Sequence, residues 1–210
     1  MKPIYLFATS SHPNAKNITS LSITFLTPQI DFSKYDYLII TSKQVAASLK
    51  LYQTQEYLSK PALCVSTASA KSYEEIGGTI VGIGSGYGDT LIDKIKALPK
   101  SKKWVYLRAN IVASDFVGVC KNDGYDIDEE IVYKTQCSQN ILDAKVADDA
   151  IFIFTSPSSV NCFLQTHQLT QKAKIVVIGK TTAKALPEGL KYTLSQTPTV
   201  DSCMEIASKL

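Results

Sequence analysis

The sequence predicts an α/β protein made of two similar parallel-sheet halves, and three observations predict it. The first is the stretch Asp149-Ala150-Ile151-Phe152-Ile153-Phe154-Thr155-Ser156-Pro157-Ser158-Ser159-Val160. An apolar run stops there at Thr-Ser, and apolar residues of helical period (Val160, Phe163, Leu164) begin. That pattern is a buried strand feeding a helix, with Ser156 at the N-cap and Pro157 in the first turn. The second is that Asp36-Tyr37-Leu38-Ile39-Ile40-Thr41-Ser42 repeats the design, 114 residues before Thr155. The third is that Val65-Ser66-Thr67-Ala68-Ser69-Ala70 matches Ile178-Gly179-Lys180-Thr181-Thr182-Ala183 at an offset of 113. All parallel-sheet strands are rich in Ile, Val and Phe, but that alone would not reproduce Thr-Ser at the turn.

The elements follow in order. Ile4-Tyr5-Leu6-Phe7-Ala8 reads as a first strand and Thr9-Ser10-Ser11-His12-Pro13-Asn14 as turn chemistry. A second, alternating strand is predicted over 21–27. After the first Thr-Ser unit, Val45, Ala46, Leu49 and Tyr52 form a helical stripe. Strand 61–65 leads to a helix from about Thr67 that stops at Gly77-Gly78. Strand 79–83, helix 89–98, strand 104–108 and helix 114–122 come next, ending at Asp123-Gly124. The alternating, partly polar segment 125–135 reads as a connector between the repeats, pairing with 21–27. Strand 151–154, helix 160–166, strand 174–178, helix 181–186, strand 190–194 and helix 199–209 complete the chain.

Composition narrows the function. At 210 residues, with 45% apolar and 20% charged residues, the chain can bury one large core or two smaller ones. No apolar run approaches the ~20 residues of a membrane span, and the N-terminal run is too short for a secretory signal. A cytoplasmic location is expected. Cys64, Cys120, Cys137, Cys162 and Cys203 are far apart, with no C-x-x-C pair and only His12 and His167 as histidines. Neither a disulfide framework nor a metal site is expected, and the cysteines read as reduced, buried small side chains. A net charge of +3 is too mild for a nucleic-acid footprint but suits an anionic small molecule. Arg108 is the single arginine among 22 basic residues.

Ligands of parallel α/β sheets gather where strands end and helices begin, because exposed N–H groups and the helix dipole attract anions there. Those points carry Ser42, Ser66, Ser69, Ser156, Ser158, Lys180 and Thr182. Each serine or threonine can equally be a helix cap and nothing more. If the two halves face each other, they line one cleft with two sets of such ends. Gly82-Ile83-Gly84-Ser85-Gly86-Tyr87-Gly88 fails the dinucleotide fingerprint, since Tyr87 stands where a glycine is required. An anion-binding turn and a plain tight turn both remain open for it. No G-x-S-x-G elbow is present, and the two histidines give little support to a Ser-His pair. Asp126, Asp128, Glu129 and Glu130 read as the solvated face of the connector, and Tyr133 as ordinary strand packing or a site residue.

Taken together, the chain resembles the uroporphyrinogen-III synthase family from about residue 35 onward. The residues that carry the resemblance are the Thr41-Ser42 unit, Val65-Ser66 with Ser69-Ala70, Leu107-Arg108, Val132-Tyr133-Lys134-Thr135, Phe154-Thr155-Ser156-Pro157-Ser158 and Ile178-Gly179-Lys180-Thr181-Thr182-Ala183. The last three are the most specific. The chain departs from the family in having Ala8-Thr9-Ser10 where an arginine is usual and in a compressed first helical region. Ser66 also replaces a common glycine, and Ser69 a common threonine.

The resemblance implies two parallel-sheet α/β domains joined by a two-stranded β-ladder, with a cleft between them. One domain would take residues 1–20 plus 136–210, the other 30–124, with connecting strands 21–29 and 125–135. It implies cyclisation of hydroxymethylbilane, a linear tetrapyrrole with eight carboxylates, to uroporphyrinogen III with inversion of the last ring. No cofactor or metal is implied. Tyr133 would assist departure of the terminal hydroxyl, while Arg108 and the hydroxyl and lysine residues named above would bind substrate. Further expectations are a monomer, hand-over of substrate from hydroxymethylbilane synthase, and no nucleic-acid or membrane partner. The competing expectation is a non-catalytic two-lobed protein that binds a small anion or tetrapyrrole.

Overall fold

The computed structural model describes residues 2–112 and 114–210; Met1 and Ala113 lie outside the described residues. The chain opens with strands β1 (Ile4–Ala8), β2 (Lys16–Thr19), β3 (Leu21–Phe25) and β4 (Tyr37–Ile40). Then come α1 (Lys43–Leu49), β5 (Ala62–Cys64), α2 (Thr67–Glu74), β6 (Ile80–Ile83), α3 (Leu91–Lys96), β7 (Lys103–Ala109), α4 (Phe116–Asn122) and the long strand β8 (Asp126–Cys137). The remainder is α5 (Gln139–Leu142), β9 (Ile151–Phe154), α6 (Pro157–Phe163), β10 (Lys174–Val177), α7 (Lys180–Ala183), β11 (Tyr192–Leu194) and α8 (Val200–Ala207). Two compact units result: Met1–Ser22 with Gln136–Leu210, and Ile23–Thr135.

The unit formed by the chain ends holds a parallel sheet of order β11-β10-β9-β1-β2. Its central strand β9 is buried along its whole length, which is why Ile151–Phe154 has no polar alternation. Phe7, Phe152, Phe154 and Val177 pack one face against Phe163 of α6. Leu6, Ile153 and Val176 pack the other against Cys203, Met204 and Ala207 of α8. Strand β2 is a departure from the sequence reading, which gave no strand between the turn and residue 21. Lys-Asn-Ile-Thr is short and mostly exposed, and an edge strand of that kind carries no apolar pattern.

The central unit holds a sheet of order β3-β8-β7-β4-β5-β6, in which the pairs from β8 through β6 are parallel. Leu38, Ile40, Val105 and Leu107 face Val45 and Leu49 of α1 and Tyr73 of α2. Ile39, Leu63, Trp104 and Tyr106 face Leu91 and Ile95 of α3 and Phe116 and Cys120 of α4. β3 flanks β8, and the Leu26 N–H donates to the Val132 carbonyl at 2.8 Å. The order β8-β7-β4-β5-β6 matches β2-β1-β9-β10-β11 strand for strand. The Thr-Ser repeat thus marks the same strand of each sheet, β4 in one and β9 in the other.

One expectation about the cysteines is overturned. Cys137, at the end of β8, is disulfide-bonded to Cys162 in α6. Contact across 25 residues of sequence is set by tertiary packing and leaves no spacing signature. Cys64, Cys120 and Cys203 are free and buried, as expected.

Candidate functional site

In the central sheet the chain moves outward from β4 through β5 to β6 in one direction and from β7 to β8 in the other. The strand order therefore reverses between β4 and β7, and the carboxyl ends of these strands are where a ligand of such a sheet is expected. Thr41 follows β4 immediately, and its Oγ1 lies 2.9 Å from the Tyr106 Oη on β7, so the two hydroxyls bridge the reversal point. In the other sheet the reversal falls between β9 and β1, and Thr155 follows β9. There the Thr155 hydroxyl donates to the Phe7 carbonyl on β1 at 3.1 Å. The repeated threonine spans the same topological gap twice, once to a side chain and once to backbone.

At the β4/β7 end a cavity of about 240 Å³ opens, lined by Thr41, Tyr106, Tyr133 and Ser114, with Val65 and Phe116 among its apolar wall residues. Tyr133 reaches this cavity because of a register shift: β7 and β8 pair in step up to Arg108 and Ile131, then Ala109 pairs with Tyr133. Asn110 holds the shifted segment on both sides. Its N–H donates to the Tyr133 carbonyl at 3.1 Å, and its Oδ1 accepts from the Thr135 N–H at 3.1 Å. Burial pushes the Tyr106 hydroxyl above the usual tyrosine range, with the hydrogen bond to Thr41 pulling the other way. Tyr106 is therefore a neutral phenol near neutral pH, a donor and not a base.

The glycine-rich turn forms another wall through Gly86 and Gly88. The N–H groups of Gly84 and Gly86 donate to the carbonyls of Cys64 and Val65 at 2.7 and 2.8 Å, and that of Ser85 to Thr90 Oγ1 at 3.2 Å. Three successive N–H groups, from Gly84 to Gly86, are thus used to fasten the turn and are not offered to an anion. Gly86 has φ +102°, and a Cβ at Gly88 would meet Ser114 at 3.0 Å.

The candidate hydroxyls fall into distinct environments. Ser42 caps α1, accepting from the Gln44 N–H at 3.2 Å. Ser66 and Ser69 form a reciprocal capping box on α2, and Ser156 and Ser159 form the same box on α6. Ser69 and Thr182 are buried, each 2% exposed, whereas Ser158 and Lys180 are exposed at the starts of α6 and α7. Arg108 is engaged within its own sheet. Its Nε lies 2.9 Å from Glu129 Oε2, and its Nη1 donates to the Ala109 carbonyl at 2.9 Å. Of the residues proposed from sequence, Tyr133 is the one lining the β4/β7 cavity. Thr41, Tyr106 and Asn110 were not among them, although Thr41 lay inside the repeated motif. Among the described residues no group of three or more His, Cys, Asp or Glu is placed to hold a metal.

No helix among the described residues is long and apolar enough to cross a membrane. Comparison with known proteins returns one family, uroporphyrinogen-III synthase HemD, whose profile matches residues 15–205. No curated protein sequence matches the chain. Among solved structures, the uroporphyrinogen-III synthetase from Helicobacter pylori 26695 superposes with a TM-score of 0.80 at 22% identity, covering 100% of this chain and 99% of that one. A mutant uroporphyrinogen III synthase from the extremely thermophilic bacterium Thermus thermophilus gives 0.57 at 14% identity, covering 99% and 98%. At such identities the structural likeness speaks for the fold, and the profile speaks for descent. With the match running over residues 15–205, the chain belongs to the uroporphyrinogen-III synthase HemD family.

Proposed function

We propose that this chain cyclises hydroxymethylbilane to uroporphyrinogen III, with inversion of the last ring, as a lyase of tetrapyrrole biosynthesis. The observation that carries this reading is the family match over residues 15–205. Loss of the terminal hydroxyl leaves an azafulvene cation. Attack from the substituted carbon of the last ring then gives a spiro intermediate, which reopens and closes with that ring turned round. Uncatalysed closure gives the non-inverted isomer, so the protein's main task is to position a flexible chain of rings.

Tyr133 is the residue assigned to the departing hydroxyl. Its support is its place in the cavity at the β4/β7 ends, where the register shift and the Asn110 clamp fix its backbone. Ser42, Ser66, Ser156, Ser158 and Lys180 are assigned to carboxylate binding, being half-buried or exposed at strand-to-helix junctions. The buried Ser69 is assigned the supporting part, holding the first turn of α2 through its bond to the Ser66 carbonyl, and the buried Thr182 is assigned to the substrate end of α7. Arg108 is assigned to the end of β7 beside Tyr133, where Glu129 pairs with its charge and its Nη1 donates to the Ala109 carbonyl.

The test is the isomer formed. Given freshly made hydroxymethylbilane, the protein is expected to yield uroporphyrinogen III. Isomer I alone, at the rate of a blank, would instead leave a non-catalytic binding protein.

A further inference from the structure

The cavity at the β4/β7 ends is lined by hydroxyls, apolar side chains and glycine backbone, and no charged residue contributes to it among the described residues. That composition is unsuited to a carboxylate, whose burial without a cation or convergent N–H donors is costly. The glycine-rich turn offers no such donors from Gly84 to Gly86, because those N–H groups are already bonded. At about 240 Å³ the cavity is also smaller than the roughly 300–1,000 Å³ that encloses a drug-sized ligand, so it receives one end of a tetrapyrrole and not the whole. Besides pyrrole N–H groups, which only donate, a linear tetrapyrrole with eight carboxylates has one neutral group able to accept a hydrogen bond, its terminal hydroxyl.

The hydroxyl pair in the cavity has a spare proton. Thr41 Oγ1 and Tyr106 Oη are 2.9 Å apart, and either can donate to the other. Whichever does, one O–H of the two remains free. We infer that the cavity receives the hydroxymethyl end of the substrate, and that Tyr106, anchored by Thr41, donates to the departing oxygen alongside Tyr133. This rests on the reaction proposed above. In it the carbon–oxygen bond breaks heterolytically, with the pyrrole nitrogen supplying electrons behind it. The oxygen takes up a proton from a phenol and leaves as water. The proton shed by the last ring, when the new carbon–carbon bond completes the macrocycle, restores the phenol. Tyr106 is then a second catalytic residue and Thr41 a positioning residue.

The experiment compares wild type, Tyr106→Phe, Thr41→Val and Thr41→Ser on freshly generated hydroxymethylbilane, following rate and isomer together. Tyr106→Phe is expected to lower kcat by about tenfold or more while KM stays within about twofold. Thr41→Val is expected to lower kcat in the same direction, and Thr41→Ser, which keeps the hydroxyl, to restore it. Circular dichroism reports whether each variant folds. Should Tyr106→Phe not fold, the contrast between Thr41→Val and Thr41→Ser decides alone. If wild type makes isomer III while folded Tyr106→Phe and Thr41→Val keep its kcat, or lose only in KM, the inference is overturned and the reaction stands. If wild type makes isomer I alone, both fall.

Discussion

The Ser48 hydroxyl, fully buried in α1, donates to the Val132 carbonyl 2.9 Å away, one residue before Tyr133. The same oxygen lies 3.2 Å from the Leu26 carbonyl, so one small side chain serves two backbone acceptors. The helix that follows Thr41-Ser42 is thereby tied to the strand that carries the candidate catalytic phenol. Ser48→Ala removes the donor: the Val132 carbonyl keeps the Leu26 N–H, and the Leu26 carbonyl loses its contact with the hydroxyl. The expected loss is about 1–3 kcal/mol of unfolding free energy, read from urea denaturation. An unchanged midpoint would mean that these carbonyls are satisfied without it.

Tyr133→Phe is expected to slow turnover by about tenfold to a hundredfold, up to the lower bound of the range for one acid–base group. Steady-state kinetics with the isomer assay checks this. A rate equal to wild type would remove Tyr133 from the chemistry.

Ser156→Ala and Ser159→Ala each break the capping box on α6 and should cost about 1 kcal/mol apiece. They separate binding from capping, because Ser159 is buried and Ser156 is half-buried at the helix start. Ser156→Ala is expected to raise KM beyond any rise seen with Ser159→Ala. Equal KM values would make Ser156 a cap and nothing else.

The contribution of the Tyr35–Asp128 pair to stability should be flat between about pH 4 and 10 and fall on both sides. The Tyr35 hydroxyl donates to Asp128 Oδ2 at 2.9 Å, and Lys103 Nζ lies 3.3 Å from the same oxygen. That hydrogen bond, with help from Lys103, holds the Asp128 carboxyl below its ordinary value of 3.8. Its stabilisation is present above that value and is lost as the carboxyl protonates in acid. Burial and then Asp128 push Tyr35 from 10.0 up to about 12, so its contribution is full below pH 10 and lost as pH rises towards 12. Melting temperatures across pH should show Tyr35→Phe with a shallower fall at both ends. Parallel curves for the two proteins would dismiss the pair.

The bond between Cys137 and Cys162 closes a loop with a sequence separation of 25 residues. By loop-closure entropy it should contribute about 3 kcal/mol. Reduction with dithiothreitol, or Cys137→Ser, is expected to lower the denaturation midpoint accordingly. A count of all the cysteines as free thiols without reductant would show that the two sulfurs stay apart in solution.

What could be read in advance was whatever depends on neighbouring residues. The Thr-Ser junctions announced themselves because a buried parallel strand has no polar alternation, so the first hydroxyl after it stands out. The S-x-x-S boxes at Ser66 and Ser156 are equally local. Strand β2 was missed because Lys16–Thr19 lies at an edge, mostly exposed, with one apolar residue. The Thr41–Tyr106 pair was missed for another reason. Tyr106 sits inside an apolar strand, where a tyrosine reads as packing, and its partner is 65 residues away. The Asn110 clamp depends on a register shift, which no periodicity encodes.

The pairing of β1 with β9, Ile4 to Ile151, sets an order of events during synthesis. The opening two strands leave the ribosome early, yet the strand that flanks β1 on its other side is made only after the whole central unit. At about 5–20 residues per second that wait is roughly 7–30 s. Leu6 and Phe7 pass it without their partners Ile153 and Phe154 on β9. Slowing translation of the central unit would therefore harm the other half first, through a sticky apolar strand waiting for its partner.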